Sequence, residues 1–433
     1  MPTSLELLTK RRFAPLFVTQ LLGAFNDNLF KFAMVVLVIY EIYDDPAVEF
    51  QFSSISTALF ILPFFLLSAI AGQLADNMDK AKIIRFVKTL EIVIALTGAA
   101  GLILQSIPLM LTALFALGAQ STFFGPIKYA ILPQHLKKEE VLAGTGLVEA
   151  GTYVAILGGT ILGGVIVDWL GAFWAAIWVL TVAIIGRISA HFVPDAPPQK
   201  EVEPIDYNIF RSSYRLVNGT MHIRRLFLAI IAISFFWTIG SVLIIQFPPL
   251  VKNVLTADPK VASLFLGVFS IGIAIGSILS NRILKGEVSA RIAPLSVIVM
   301  GAFVLVLYFI SISWEGLENG ELYDLVGFIL HDGSWLLLGV LLGVAIAGGM
   351  FVVPLYAFLT TTVDLSQTAR TIAANNVVNS GCMVLGALAA FGLSLLGVST
   401  TEQLFLVAAM CLVSSWTAWL LHKACDEVKP ALG

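Results

Sequence analysis

The chain has 433 residues, of which 58% are hydrophobic and 12% charged, with a formal net charge of −3. Soluble domains carry about 25% charged residues, so this composition, with a mean hydropathy of +0.93, excludes a soluble globular protein and points to a polytopic membrane protein. The three cysteines (Cys382, Cys411, Cys425) lie in or beside late apolar runs, and they exclude both a disulfide framework and a zinc site.

Apolar runs of about 20 residues, enough to cross roughly 30 Å of hydrocarbon, fall near 13 to 43, 53 to 75, 83 to 105, 108 to 131, 141 to 167, 172 to 194, 226 to 251, 261 to 284, 291 to 313, 334 to 361, 370 to 397 and 402 to 422. The expected fold class is therefore all-α, with twelve membrane spans. Span 1 lacks a small-residue cleavage site and serves as its own insertion signal. It is also the most informative span, because its stretch QLLGAFNDNLFKF places Asp27 and Lys31 inside an otherwise apolar segment. A charge near mid-membrane is costly and usually faces a partner or a water-filled path. The two residues are four apart and share one helix face, with Gln20 two turns away on the same face. They either pair with each other or form part of a polar stripe widened by Asn26 and Asn28.

Further along, Lys128 and Tyr129 sit near the end of span 4. Span 5 carries Glu149 and Tyr153 on one face, followed by a GGTILGG run (Gly158 to Gly164). That small-x-x-x-small spacing allows close helix approach, expected here against a helix of the other half. Glu91 in span 3 is expected to face the headgroups. In the second half the polar span residues are mostly uncharged: Gln246 before Pro248-Pro249, Tyr356 in span 10, and Asn375, Asn376 and Asn379 in span 11. This asymmetry suggests head-group binding in the first half and motion in the second. Phenylalanine clusters such as Phe64-Phe65, Phe123-Phe124 and Phe235-Phe236 suit either a slot for an apolar tail or ordinary packing.

Lysine and arginine mark the cytoplasmic side. Lys10 to Arg12, Lys80 to Lys88, Lys137 and Lys138, Arg211 to Arg225, and Arg282 to Arg291 all fall on one side if the N-terminus is inside, whereas residues 314 to 333 carry five acids and no base. Both termini are expected to be cytoplasmic. A proline-rich, charged break divides the chain into an N-terminal six-helix bundle (1–194), a cytoplasmic linker (195–225) and a C-terminal six-helix bundle (226–433), the layout of transporters built from two parallel repeats. GQLADN at the end of span 2 is echoed by GSILSN at the end of span 8.

Gly72, Asp76, Lys80 and Lys82, within GQLADNMDKAK, resemble the loop between helices 2 and 3 of the major facilitator superfamily. The sequence departs from that pattern at Asn77, Asp79 and Ala81. The resemblance implies a gating role, in which Asp76 holds the positive end of a neighbouring helix near Thr371 through a bond that breaks as the halves rock. A narrower resemblance rests on five blocks in order: GAFNDN, GPIKYAILP (125–133), TGLVEAGTYVAILGGTILGGVIVD (145–168), GGMFVVPLYAFL (348–359) and TIAANNVVNSG (371–381). Together they resemble the bacterial lysophospholipid transporter family. This implies a multi-pass protein of the bacterial inner membrane that moves lysophosphatidylethanolamine or lysophosphatidylglycerol to the cytoplasmic leaflet, where an acyltransferase, fused or separate, re-acylates them.

A single-chain lipid needs a polar pocket for its head and an apolar flank for its tail. Asp27 suits an ammonium group, and Lys31 or Lys128 a phosphate, through charge-assisted hydrogen bonds. The histidines show no H-x-x-x-x-D acyltransferase signature, and there is no phosphate loop or metal-ligand cluster. No enzyme activity, cofactor, metal or nucleic-acid partner is expected, and the chain is expected to be a monomer in membrane lipid. Two other readings stay open: a proton-coupled exporter of amphiphilic drugs using Asp27 or Glu149, and a non-transporting subunit that docks an acyltransferase.

Overall fold

The computed structural model describes residues 4–137, 140–198, 204–284, 289–317, 321–361 and 365–426. Their helices are α1 (Ala14–Leu37), α2 (Pro46–Asn77), α3 (Lys80–Ile103), α4 (Ile107–Ala130), α5 (Leu132–His135), α6 (Val141–Leu170), α7 (Ala172–His191), α8 (Ile209–Met221), α9 (Arg224–Asn253), α10 (Pro259–Ile283), α11 (Ala293–Ile312), α12 (Leu325–Leu330), α13 (Ser334–Thr361), α14 (Leu365–Leu395) and α15 (Leu404–Asp426). The described residues are otherwise turns, loops, short non-α helices and one isolated bridge between Ala257 and Tyr323. Eleven of these helices are long and apolar enough to cross a membrane, and α6 contributes a shorter apolar segment, Val154–Leu170. The chain is a multi-pass, all-α membrane protein.

Local chemistry explains where the helices begin and end. The Asp79 carboxylate caps α3 by accepting from the backbone N–H of Ala81 at 2.9 Å, so a residue that departs from the gating-loop pattern has a structural use. Asp258 and Asp324 cap α10 and α12 in the same way. Ser399 and Glu402 exchange hydrogen bonds just ahead of α15, a capping box. Between α6 and α7 the chain turns on Gly171 alone, at φ +83°, a conformation that glycine adopts without a Cβ penalty.

The chain divides into two compact units. The first contains Met1–Val38 and Leu59–Ser212. Within it α1 packs on α6 and α7, and α3 packs on α4 and α7. The glycine run of α6 serves the first of these contacts. A Cβ at Gly159 would lie 2.3 Å from the Phe25 carbonyl oxygen, and one at Gly163 would lie 2.7 Å from that of Leu29. The run therefore packs against α1 of the same unit, not against a helix of the other half as the spacing suggested. Small residues license close approach but carry no information about which helix approaches. At the end of this unit, Gln73 donates to the Ser212 hydroxyl at 3.1 Å and accepts from the Asp206 N–H at 2.7 Å, holding the start of amphipathic α8.

The second unit contains Ile39–Ala58 and Ser213–Gly433. In it α9 packs on α14 and α15, α10 on α13, and α11 on α13 and α15. Its early segment is tied in by Lys252 at the end of α9. The ammonium donates to the Ile39 carbonyl at 2.5 Å, the Tyr43 carbonyl at 3.1 Å and the Glu49 carboxylate at 2.6 Å. Three donors meet three acceptors. Asn253 takes the other Glu49 oxygen at 2.6 Å, and Glu49 is fully buried. The carbonyls that reach Lys252 come from and beside a π-helical turn at Val38–Ile42, a geometry that leaves backbone acceptors outside the regular ladder.

Candidate functional site

Polar residues collect inside each unit, and the richer collection is in the first. Its centre is Glu91 of α3, which has no exposed surface. Lys88, three residues earlier and equally buried, places its ammonium 2.5 Å from Glu91 Oε2. Gln120 of α4 donates to the same oxygen at 2.9 Å, and Asn26 of α1 donates to Oε1 at 3.3 Å. One expectation is corrected here: Glu91 does not face the headgroups, and Lys88, counted from the sequence only among the basic residues that mark the cytoplasmic side, is buried with it. The space for Lys88 is cut by Gly23, where a Cβ would sit 2.6 Å from Nζ, and its ammonium lies 5.5 Å from the Phe124 ring centroid. A buried ion pair survives in such a place because every charge finds partners at once.

Asp27 borders this network. Its Oδ2 accepts the Ser121 hydroxyl of α4, and that hydroxyl also lies 3.0 Å from Gln120 Oε1. Its Oδ1 is buried without a partner, as is Asn26 Oδ1. Lys31 does not pair with Asp27. Its ammonium sits 5.3 Å from the Phe60 ring centroid, and among the described residues no carboxylate forms an ion pair with it. The i, i+4 spacing puts the two on one face, but the side chains diverge to α4 and α2. The Asn28 amide donates back to the Ala24 carbonyl at 2.8 Å, a contact within its own helix.

A second group joins α1, α4 and α6. Thr152 Oγ1 contacts Gln20 Oε1 at 2.9 Å and receives Lys128 Nζ at 3.3 Å, leaving Gln20 Nε2 without a partner. The side chains of Tyr129, Glu149 and Tyr153 lie outside the described residues. Of the gating candidates, Asp76 and Lys82 are exposed, and Lys80 is buried with its backbone N–H on the Ala196 carbonyl at 3.0 Å. Gly72 has open space where a Cβ would stand.

In the second unit, Trp237 Nε1 donates to the Tyr356 hydroxyl at 2.7 Å, Asn379 Nδ2 approaches the same hydroxyl at 3.5 Å, and Ser234 donates to Asn379 Oδ1 at 2.6 Å. Asn375 and Gln246 are buried, with both amide atoms of each unpartnered. Asn376 is exposed and does not join them: positions i and i+4 share a face, whereas i+1 is rotated about 100° away. Sequence reasoning missed Lys88, Glu91, Gln120, Ser121, Thr152, Ser234 and Trp237 as site residues. The usable signal was a lysine and a glutamate three apart inside an apolar run, a spacing that closes on one helix face. The serines, threonine and tryptophan carry no such signal.

The family model described as Major Facilitator Superfamily matches residues 16–387. Among curated proteins, the chain is 26% identical over 394 residues to the "Lysophospholipid transporter LplT" of Serratia proteamaculans (strain 568), covering 89% of each chain. It is also 26% identical over 374 residues to the protein of that name from Escherichia coli O157:H7, covering 85% of each. Among solved structures, an auto-inhibited POT family peptide transporter superposes with TM-score 0.70 at 12% identity, covering 96% of this chain and 97% of that one. A bacterial homologue of the human lysosomal transporter Spinster gives 0.67 at 12%, covering 96% and 97%.

Proposed function

The chain belongs to the Major Facilitator Superfamily, and from that premise we propose that it carries lysophospholipids across the bacterial inner membrane to the cytoplasmic leaflet by alternating access. The observation that carries this reading is a charged cluster with spare hydrogen-bonding capacity at the heart of the first unit. Asp27 and Lys31 stand one turn apart, each uncommitted to the other, with an unpartnered carboxylate oxygen on the first and, among the described residues, an ammonium over the Phe60 ring and in no ion pair on the second. An ethanolamine ammonium at Asp27 and a phosphate at Lys31 satisfy both, in a geometry where desolvated charge-assisted bonds are strong. The names of the relatives support the cargo class. Lys128 with Thr152 and Gln20 offers a second anion contact nearer the N-terminal end of α1. The buried, unpartnered amides of Asn375 and Gln246 give the second unit polar contacts of its own, beside the Tyr356 and Asn379 pair. Gly72, Asp76, Lys80 and Lys82 are proposed as the gating loop, and an acyltransferase as the consumer of the delivered lipid.

Reconstitution tests this. Proteoliposomes holding the wild type should move labelled lysophosphatidylethanolamine, Asp27→Asn should abolish that movement, and Lys31→Gln should weaken it. Movement unchanged in Asp27→Asn would refute the assigned site, and none in the wild type would refute the cargo.

A further inference from the structure

Helix α8 keeps its aromatic side chains off the protein. The side turned to the chain mixes half-buried Ile209 and Leu216 with the buried hydroxyls of Ser212 and Thr220. Those hydroxyls are satisfied where they lie. Ser212 donates to the Asp206 carbonyl at 2.7 Å and accepts from Gln73, and Thr220 donates to the Leu216 carbonyl at 3.2 Å. On the outer side Phe210 is 72% exposed and Tyr214 69%, and Tyr207, just ahead of the helix, is 72% exposed. Positions 210, 214, 217 and 221 share one stripe at helical spacing, and half-buried Val217 and Met221 carry it about 16 Å along the axis. The described residues leave the aromatic part of that stripe bare.

What covers it follows from where the helix is tied. At one end Gln73, four residues before α2 closes at Asn77, holds Ser212 and Asp206. At the other end two residues separate Met221 from Arg224, where α9 begins. Both α2 and α9 are long and apolar enough to cross a membrane, so α8 is held at the level where spans leave the hydrocarbon. With 13 residues it is about 20 Å long, short of the roughly 30 Å needed to cross, and it therefore lies on the bilayer. Phenylalanine and tyrosine beside arginine suit that depth, because the rings enter the headgroup boundary while the guanidinium groups stay in water. Residues 204–225 carry Arg211, Arg215, Arg224 and Arg225 against a single carboxylate, Asp206, whose two oxygens Arg211 clasps at 2.7 Å. Arg211 and Arg215 stand four apart beside the aromatic stripe, and both are exposed, as is Arg224. The positive excess selects an anionic surface.

We infer that α8 is a lipid-docking helix: Phe210 and Tyr214 sit in the headgroup boundary of the leaflet that α9 enters, and the neighbouring arginines bind anionic phospholipid there. This surface shares no residue with the Asp27 and Lys31 site, so it stands whatever the cargo.

Photocrosslinking on the full chain tests it, with p-benzoylphenylalanine replacing Phe210, Tyr214 or, for comparison, exposed Gly219, which is half a turn around the helix from Phe210. In vesicles of phosphatidylcholine and phosphatidylglycerol in equal parts, positions 210 and 214 should form lipid adducts several-fold more often than position 219, read by mass spectrometry. Arg215→Gln with Arg224→Gln should lower the phosphatidylglycerol share of those adducts, and an unchanged share would overturn the role given to the arginines. Lipid adducts no commoner at 210 and 214 than at 219, or adducts to a second copy of the chain in their place, would overturn the docking surface itself. The unmodified protein gives an independent measurement. Its amide exchange across 209–221 should slow on going from phosphatidylcholine vesicles to the mixed ones and recover at high salt, which screens the arginines. Exchange indifferent to phosphatidylglycerol would overturn the anionic-lipid assignment even if a substituted chain fails to fold.

Discussion

Replacing Lys88 with alanine isolates the energetic weight of the buried network. In the wild type both members of the Lys88 and Glu91 pair have no exposed side-chain surface, and their charged atoms lie 2.5 Å apart. Solvent screening is absent, so the small values typical of surface pairs, about 0 to 1 kcal/mol, do not apply. After the substitution Glu91 keeps only the neutral donors Gln120 and Asn26, which cannot neutralise a carboxylate. Breaking one side of a buried pair costs about 3 to 5 kcal/mol. The loss is expected in equilibrium unfolding of the protein in bicelles. The double variant Lys88→Met with Glu91→Leu should recover most of it, because two apolar side chains of similar size remove the stranded charge. A loss below about 1 kcal/mol in Lys88→Ala, or a double variant no more stable than the single one, would refute the assignment of Glu91 as an ionised, lysine-dependent centre.

Three further outcomes follow from the same geometry. The Glu140 carboxyl is held below the ordinary carboxylate range, first by the Lys137 backbone N–H and then by the Arg12 guanidinium. A lowered folded value means stability that is present above the unfolded pKa and lost as pH falls through the folded one. Arg12→Gln should therefore raise the Glu140 titration midpoint, seen by NMR of labelled glutamate, and shrink the stability lost on acidification, which then ends at a higher pH; unchanged titration would remove Arg12 from the account. Lys252→Ala strips Ile39, Tyr43 and Glu49 of their shared donor, so amide exchange across residues 39–58 should accelerate while that of α11 stays the same. Gly159→Ala forces a Cβ to within 2.3 Å of the Phe25 carbonyl and should destabilise the protein. Gly72→Ala, in open space within a helix, should stabilise it by about 0.5 to 1 kcal/mol; equal thermal shifts would show that α1 and α6 do not meet as described.

The asymmetry between these two glycines shows how far the sequence alone can be read. Gly72 belongs to a motif and Gly159 to a packing run, yet nothing in either string says which of them touches a neighbour. The same holds for the charges. Asp27 and Lys31 were legible as a membrane anomaly because composition makes any charge in an apolar run expensive. The pairing suggested by their spacing does not form, because each side chain has a better neighbour on another helix. Lys88 was counted with Lys80 and Lys82 only as a mark of the cytoplasmic side, although α3 begins at Lys80 and carries Lys88 two turns further along the helix.

Hydrophobic run length, basic-residue bias and ordered motif blocks together identified an all-α, multi-pass facilitator, because span formation depends on local transfer free energy and helix periodicity, both written along the chain. Which polar atoms meet depended on the rotation of each helix about its axis and the depth at which it packs. The glycine contacts of α1 with α6 and the close approach of α3 to α4 decided those quantities, and only the tertiary structure contains them. The closure of Glu91 on Lys88, Gln120 and Asn26, and the contact of Ser121 with both Asp27 and Gln120, are consequences of that packing.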